Sequence, residues 1–163
     1  MEVLGERRQY VDGILITDDW GTQQTLMIRP EYWRKLYKPA YTKLVAAIHG
    51  AGFFAHLHSD GVIDSILGDL IDIGFDEVHA QMSCMNVEGL GRRFGGRLCM
   101  WADIDRQYTL PYGSSADVEA YVQRLLSAFG GFNGGYVGYG SLCPDVPLAN
   151  VEAMLAALFA LRY

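Results

Sequence analysis

No run of about 18 consecutive apolar residues occurs in the 163-residue chain, so no membrane-spanning helix is expected. Cysteine is scarce: Cys84, Cys99 and Cys143 are odd in number and widely spaced. That usage argues against a disulfide framework and predicts a reducing, cytoplasmic setting. Lysine and arginine form no cluster, and the net charge is −6, which argues against binding a nucleic-acid phosphate backbone. Residues 1–8 carry Glu2 and Glu6 and lack an apolar segment, so a secretory leader is not expected there. Hairpin signals are missing too, which removes most antiparallel folds.

What is present is a chain 50% hydrophobic, enough for the core of one domain over residues 1–163. Residues 2–9 read as the last turns of a helix. Residues 11–17 (VDGILIT) are β-rich and apolar, as a buried parallel strand should be, and end in Asp18-Asp19-Trp20-Gly21. Pro30 opens a helix in which Trp33, Leu36, Tyr37, Tyr41, Leu44, Val45 and Ile48 keep helical spacing, with a kink or break at Pro39. These aromatics read as core packing. A strand at 53–59 leads to a helix at 62–73, stopped by Gly74. A strand at 76–81 precedes a glycine-broken helix at 87–94. Another strand, at 97–104, precedes a helix capped by Ser114 or Ser115. A fifth strand at 136–139 and a helix from Asn150 to about residue 161 complete the pattern, with Val151, Met154, Leu155 and Leu158 on its buried side. Strand and helix thus alternate five times, which predicts an α/β fold with a parallel sheet and right-handed crossovers.

The most chemically loaded stretch is Phe53-Phe54-Ala55-His56-Leu57-His58-Ser59-Asp60-Gly61. Side chains alternate along a strand, so Phe54, His56, His58 and Asp60 share one face. Two imidazoles and a carboxylate in one row can hold a proton, a metal or a substrate carboxylate; the bland reading is a hydrogen-bonded strand end. Asp18, Asp19, Gln81, Asp103 and Asp105 also fall near strand C-termini, where parallel α/β folds bind ligands. Asp18 and Asp19 read equally as loop caps, and Asp105 as the cap of the following turn. His56 reads as a supporting histidine, His79 as polar lining beside Gln81, and His49 as a helix-surface residue. Cys84 and Cys99 read as small hydrophobes.

Asp18-Asp19-Trp20-Gly21-Thr22-Gln23, Arg29-Pro30-Glu31 and His58-Ser59-Asp60-Gly61 together resemble the uroporphyrinogen decarboxylase superfamily. That superfamily includes corrinoid-dependent methyltransferases that activate thiols on zinc. Trp101-Ala102-Asp103-Ile104-Asp105-Arg106-Gln107 resembles its G-G-I-D strand and loop, and Pro144-Asp145-Val146-Pro147-Leu148-Ala149-Asn150 its D-x-P-x-E-N segment, with Ala149 in place of the glutamate. The family fold is a (β/α)₈ barrel, and the resemblance covers its C-terminal five βα units. A closed barrel typically needs about 250 residues, so the expectation is a (βα)₅ partial TIM barrel. The alternative is a flavodoxin-like three-layer sandwich, which also uses five βα units.

The resemblance implies catalytic candidates Asp18, Asp19, His58, Asp60, Asp105 and Tyr139, and ligand or cofactor contacts at Gln81 and Asp103. Tyr139 stands where the decarboxylase carries a histidine, which argues against plain uroporphyrinogen decarboxylation. The methyltransferase zinc motif, His-x-Cys plus a later cysteine, reads here as His58, Asp60 and Cys143. The expected partners are a small-molecule ligand and a second copy of the chain, paired through open barrel edges. Function is expected to be that of a half-barrel retaining site residues, with little classical activity as a monomer. The alternative is a zinc-dependent methyltransferase-like or decarboxylase-like enzyme assembled as a dimer.

Overall fold

A computed structural model describes residues 8–132 and 135–160. Five strands, β1 (Gly13–Thr17), β2 (Phe54–Ser59), β3 (Glu77–Ala80), β4 (Cys99–Asp103) and β5 (Tyr136–Tyr139), form one parallel sheet in the order β1-β2-β3-β4-β5. The helices are α1 (Pro30–Leu36), α2 (Lys38–Gly50), α3 (Leu67–Ile73), α4 (Val87–Phe94), α5 (Thr109–Tyr112), α6 (Ser115–Phe129) and α7 (Leu148–Phe159). This is the expected (βα)₅ partial barrel. A flavodoxin-like sheet reverses direction after its second strand, whereas this order never reverses, so that alternative is excluded.

The chain divides into two compact units, residues 1–79 and 80–163. In the first unit, β1 pairs with β2 from Gly13↔Phe54 to Thr17↔His58. Ala55 and Leu57 of β2 are wholly buried, while Phe54 on the opposite face, and Leu15 of β1, are exposed. In the helices of this unit, Val45 and Ile48 of α2 and Leu67 and Leu70 of α3 are likewise at most 1% exposed. Asp69 fastens α3 to the preceding helices, accepting 2.8 Å bonds from Arg34 and Lys38. Burial alone would raise its carboxyl, but the bonds from Lys38 and Arg34 outweigh burial and hold it below the ordinary range. In the second unit, β4 pairs with β5 from Met100↔Tyr136 to Asp103↔Tyr139. Met100 and Ala102 are buried there, against an exposed Val137. Ser114 caps α6 in a full capping box with Asp117, as its position before the amphipathic run predicts.

Several boundaries differ from the sequence reading. The helix expected over 62–73 begins only at Leu67, although Ile63 and Ile66 are buried as anticipated. Val62 donates instead to the Thr22 carbonyl (2.8 Å), which ties the start of this segment to the loop after β1. The break anticipated at Pro39 falls at Tyr37, between α1 and α2, and Pro39 takes the second position of α2, where its missing N–H is not needed. Leu36, Leu44 and Leu155, assigned to buried stripes by spacing, are exposed. In α7 the buried positions are Asn150, Ala153, Met154 and Ala157, so its inward face is rotated from the one expected. The helix read over 2–9 lies mostly outside the described residues, and only a short 3-10 turn at Arg8–Tyr10 is described there; the last helix, expected to run to about residue 161, ends at Phe159. Among the described residues no helix is long and apolar enough to cross a membrane.

Candidate functional site

Backbone approach, not side-chain packing, first brings the loops after β1 and β2 together. Gly61 has a φ of +75°, and a Cβ on it would meet the Gly21 carbonyl carbon at 2.4 Å. No side chain fits at that crossing. Three more bonds stitch the same seam. The Asp18 N–H donates to the His58 carbonyl (3.1 Å), the Trp20 N–H to Ser59 Oγ (2.9 Å), and the Asp60 N–H to Asp19 Oδ1 (2.8 Å). Residues about 40 apart in sequence are thereby held within reach of one another.

The seam gathers Asp19, His58 and Asp60, whose donor atoms lie within 4.8 Å of one another. His58 Nε2 stands 3.6 Å from Asp19 Oδ1 and 3.9 Å from Asp60 Oδ1. On its other side, His58 Nδ1 and His79 Nδ1 share a 2.9 Å hydrogen bond, so one ring donates and the other accepts. With His58 donating, its Nε2 lone pair faces the two carboxylates. His58 is only part-buried, which leaves the group open to a ligand. One strand turn earlier, His56 pairs through Nδ1 with Glu77, a supporting place consistent with its sequence reading.

The neighbouring Asp18 faces elsewhere. Its Oδ2 accepts from the Tyr41 hydroxyl at 2.5 Å, and Tyr41 in turn accepts from the Trp20 indole N–H at 2.9 Å. Burial, reinforced by the Asp18 bond, pushes the Tyr41 hydroxyl above its ordinary value, so it stays a donor. His49, exposed as anticipated, bonds Asp76 at 2.8 Å.

In the second unit the singled-out residues have partners of their own, Cys143 apart. Asp105 accepts from the N–H groups of Gln107, Tyr108 and Thr109 and from the Thr109 hydroxyl, all at 3.0–3.2 Å. It organises the loop into α5, the capping role that its position also allowed. Asp103, 1% exposed, accepts from the Met82 N–H (3.1 Å) and from Arg106 (3.1 Å). Gln81 lies just past β3 and its amide bonds Gln107 at 3.1 Å. Tyr139 packs edge-on against Trp101 (5.7 Å). Cys143 is exposed, and the one group of possible metal donors among the described residues is Asp19, His58 and Asp60. Asn150 is buried, its amide clamping the Leu110 and Gly113 carbonyls at 2.9 and 2.8 Å. A cavity of about 370 Å³ flanked by α4 and α6 carries the Glu88–Arg124 pair (2.6 Å) on its wall. Those two charges answer each other.

The uroporphyrinogen decarboxylase (URO-D) family model matches residues 7–160. The chain belongs to the uroporphyrinogen decarboxylase family. Among solved structures it is similar to a methyltransferase from Methanosarcina mazei, with a TM-score of 0.72 and 22% identity. That likeness covers 94% of this chain and 43% of the methyltransferase, so the chain spans less than half the length of its structural relative. No curated protein matches significantly.

The structure sets the ring of His79, polar lining by its sequence position, against His58, and turns the adjacent Asp18 and Asp19 to different partners. The available signal for His79 was its place near the end of β3, beside the β2 histidines; for Asp18 against Asp19 it was the alternation of side chains beyond a strand end.

Proposed function

We propose that this chain is a uroporphyrinogen decarboxylase-superfamily domain whose Asp19, His58 and Asp60 bind a divalent cation, zinc first, in a methyltransferase-like or decarboxylase-like reaction. The observation that carries the reading is the convergence of one imidazole nitrogen and two carboxylates at the ends of β1 and β2. With bonds of about 2.0–2.2 Å in a tetrahedron, ligand atoms stand about 3.4 Å apart. His58 Nε2 stands 3.6 and 3.9 Å from the two carboxylate oxygens in a set spanning no more than 4.8 Å, so binding an ion draws the three donors together. His79 supports the same reading, because a ligating histidine usually hands its second nitrogen to a partner that fixes its orientation. A bound cation there supplies Lewis-acid activation of a thiol or carboxylate. Two carboxylates make a harder donor set than the His/Cys/Cys set of the methyltransferase branch, so discrimination of zinc from manganese is expected to be weaker.

Competition with a chelator measures the affinity. Wild-type chain is expected to take up one zinc per chain, and His58→Ala to lose affinity by more than about 100-fold. His79→Ala loses about 10–100-fold, the usual loss for a supporting partner. Equal uptake by wild type and His58→Ala would rule the site out.

The strand face that carries the site also bears Leu15 and Phe54, 48% and 58% exposed. A second copy of the chain is the proposed cover for this face, completing a pocket that one copy leaves open. Light scattering at micromolar concentration then returns the mass of a dimer; a monomer mass would overturn the pairing.

A further inference from the structure

We propose that the cavity walled by Trp20, Tyr37 and Tyr41, with Asp18 at its edge, is a binding site for a methylated ammonium cation. The cavity measures about 260 Å³ and lies between the loop after β1 and the junction of α1 with α2. Trp20 and Tyr37 meet at 61° with ring centroids 4.4 Å apart, and Trp20 and Tyr41 at 80° and 6.3 Å. The three rings meet edge-on around the cavity that all three line, and one face of Tyr41 is taken by Trp33. Cations are drawn to aromatic faces, and aromatic cages are a recurrent way of holding methylated ammonium groups.

The hydrogen-bond chain here favours that class over others. The Trp20 N–H is taken by Tyr41 and the Tyr41 O–H by Asp18, so these three groups fix the rings' orientation. The polar tips thus answer one another, and a ligand needing directed bonds finds little there. What remains is a carboxylate charge, the ring faces, and the methyl and methylene walls of Ala40 and Leu44. An anion would meet Asp18. A calcium-like ion requires six or more oxygen ligands, and one carboxylate does not supply them. A quaternary ammonium asks for diffuse charge and apolar contact together. Lys38, next to Tyr37, does not compete for the cage, because its ammonium is held by Asp69 (2.8 Å) and Asp72 (3.2 Å). A space of this size suits a headgroup and not a whole organic cofactor.

The site is separate from the proposed cation cluster, which uses Asp19 and not Asp18. The bland reading of the same residues is aromatic core packing. Trp33 and Tyr41 are indeed buried, but Tyr37 is 38% exposed and contributes its ring from the surface side. Only a charged ligand separates these readings.

The test titrates the full chain with choline and with 3,3-dimethyl-1-butanol, which has the same shape without the charge, following tryptophan fluorescence. Choline is expected to bind saturably and the neutral analogue about tenfold or more weakly. Tyr37→Leu, which keeps apolar cover at a half-exposed position, is expected to weaken choline about three- to thirtyfold while leaving zinc uptake unchanged. Asp18→Asn is expected to weaken choline as well. Equal binding of the two ligands, an unchanged choline affinity in Tyr37→Leu, or no saturable choline response from a natively folded chain would each overturn the proposal.

Discussion

Gly61→Ala is expected to destabilise the chain by about 3 kcal/mol or more, with urea melts reading the loss. The left-handed backbone at φ +75° costs a non-glycine residue about 1–2 kcal/mol by itself. The larger part comes from contact: the new methyl would lie 2.4–2.5 Å from Gly21 backbone atoms and 2.5 Å from the Thr22 carbonyl oxygen. Backbone cannot swing aside as a side chain can, so the two loops must separate. Parting them weakens the Val62–Thr22, Asp60–Asp19 and Trp20–Ser59 bonds together. Zinc affinity should fall with stability, since the same seam holds Asp19 beside Asp60. Gly50→Ala is the matched control, because its added methyl meets nothing within 4 Å. A loss below about 1 kcal/mol for Gly61→Ala would mean that the loops tolerate separation and that the seam does not set the site.

Trp33→Ala is expected to cost about 3–5 kcal/mol, the range for emptying a fully buried aromatic position. Trp33 is 0% exposed, stacks on Tyr41 at 5.8 Å, and presents its edge to Trp20 at 6.0 Å. It contacts two of the three rings of the proposed cage. Its indole N–H, also buried, meets no acceptor among the described residues. An unsatisfied donor opposes burial, so Trp33→Phe removes a liability along with some volume and should cost under about 1.5 kcal/mol. Thermal or urea melts of the two variants check the contrast. Similar large losses in both would mean that a single phenyl ring cannot fill the space the indole occupies.

Much of the architecture is legible in local patterns. The Asn86-capped α4 and Ser114-capped α6 begin where a polar cap precedes an apolar periodic run. The five strands sit where β-rich runs end in polar tips, because strands buried on a helix-covered face must be apolar until they leave the sheet. The exposed leucines mark the limit of that reading. Spacing tells which residues share a helix face, but Leu36, Leu44 and Leu155 lie at the margin of their stripes, where a small rotation exchanges core for solvent.

The candidate site divides along the same line. By itself the sequence determined the family, the alternation of strand and helix, and the shared face of His56, His58 and Asp60, since each depends on order and period along the chain. Only the tertiary structure decided that the sheet runs β1-β2-β3-β4-β5, which separates a partial barrel from a flavodoxin-like sandwich. It also decided that Asp19 joins His58 and Asp60 while Asp18 turns to Tyr41, and that Asp105 is absorbed in four bonds to its own loop. The reason is physical. Which carboxylate meets which partner is set by backbone bonds between loops some 40 residues apart and by a glycine crossing that admits no side chain. No local period encodes that meeting.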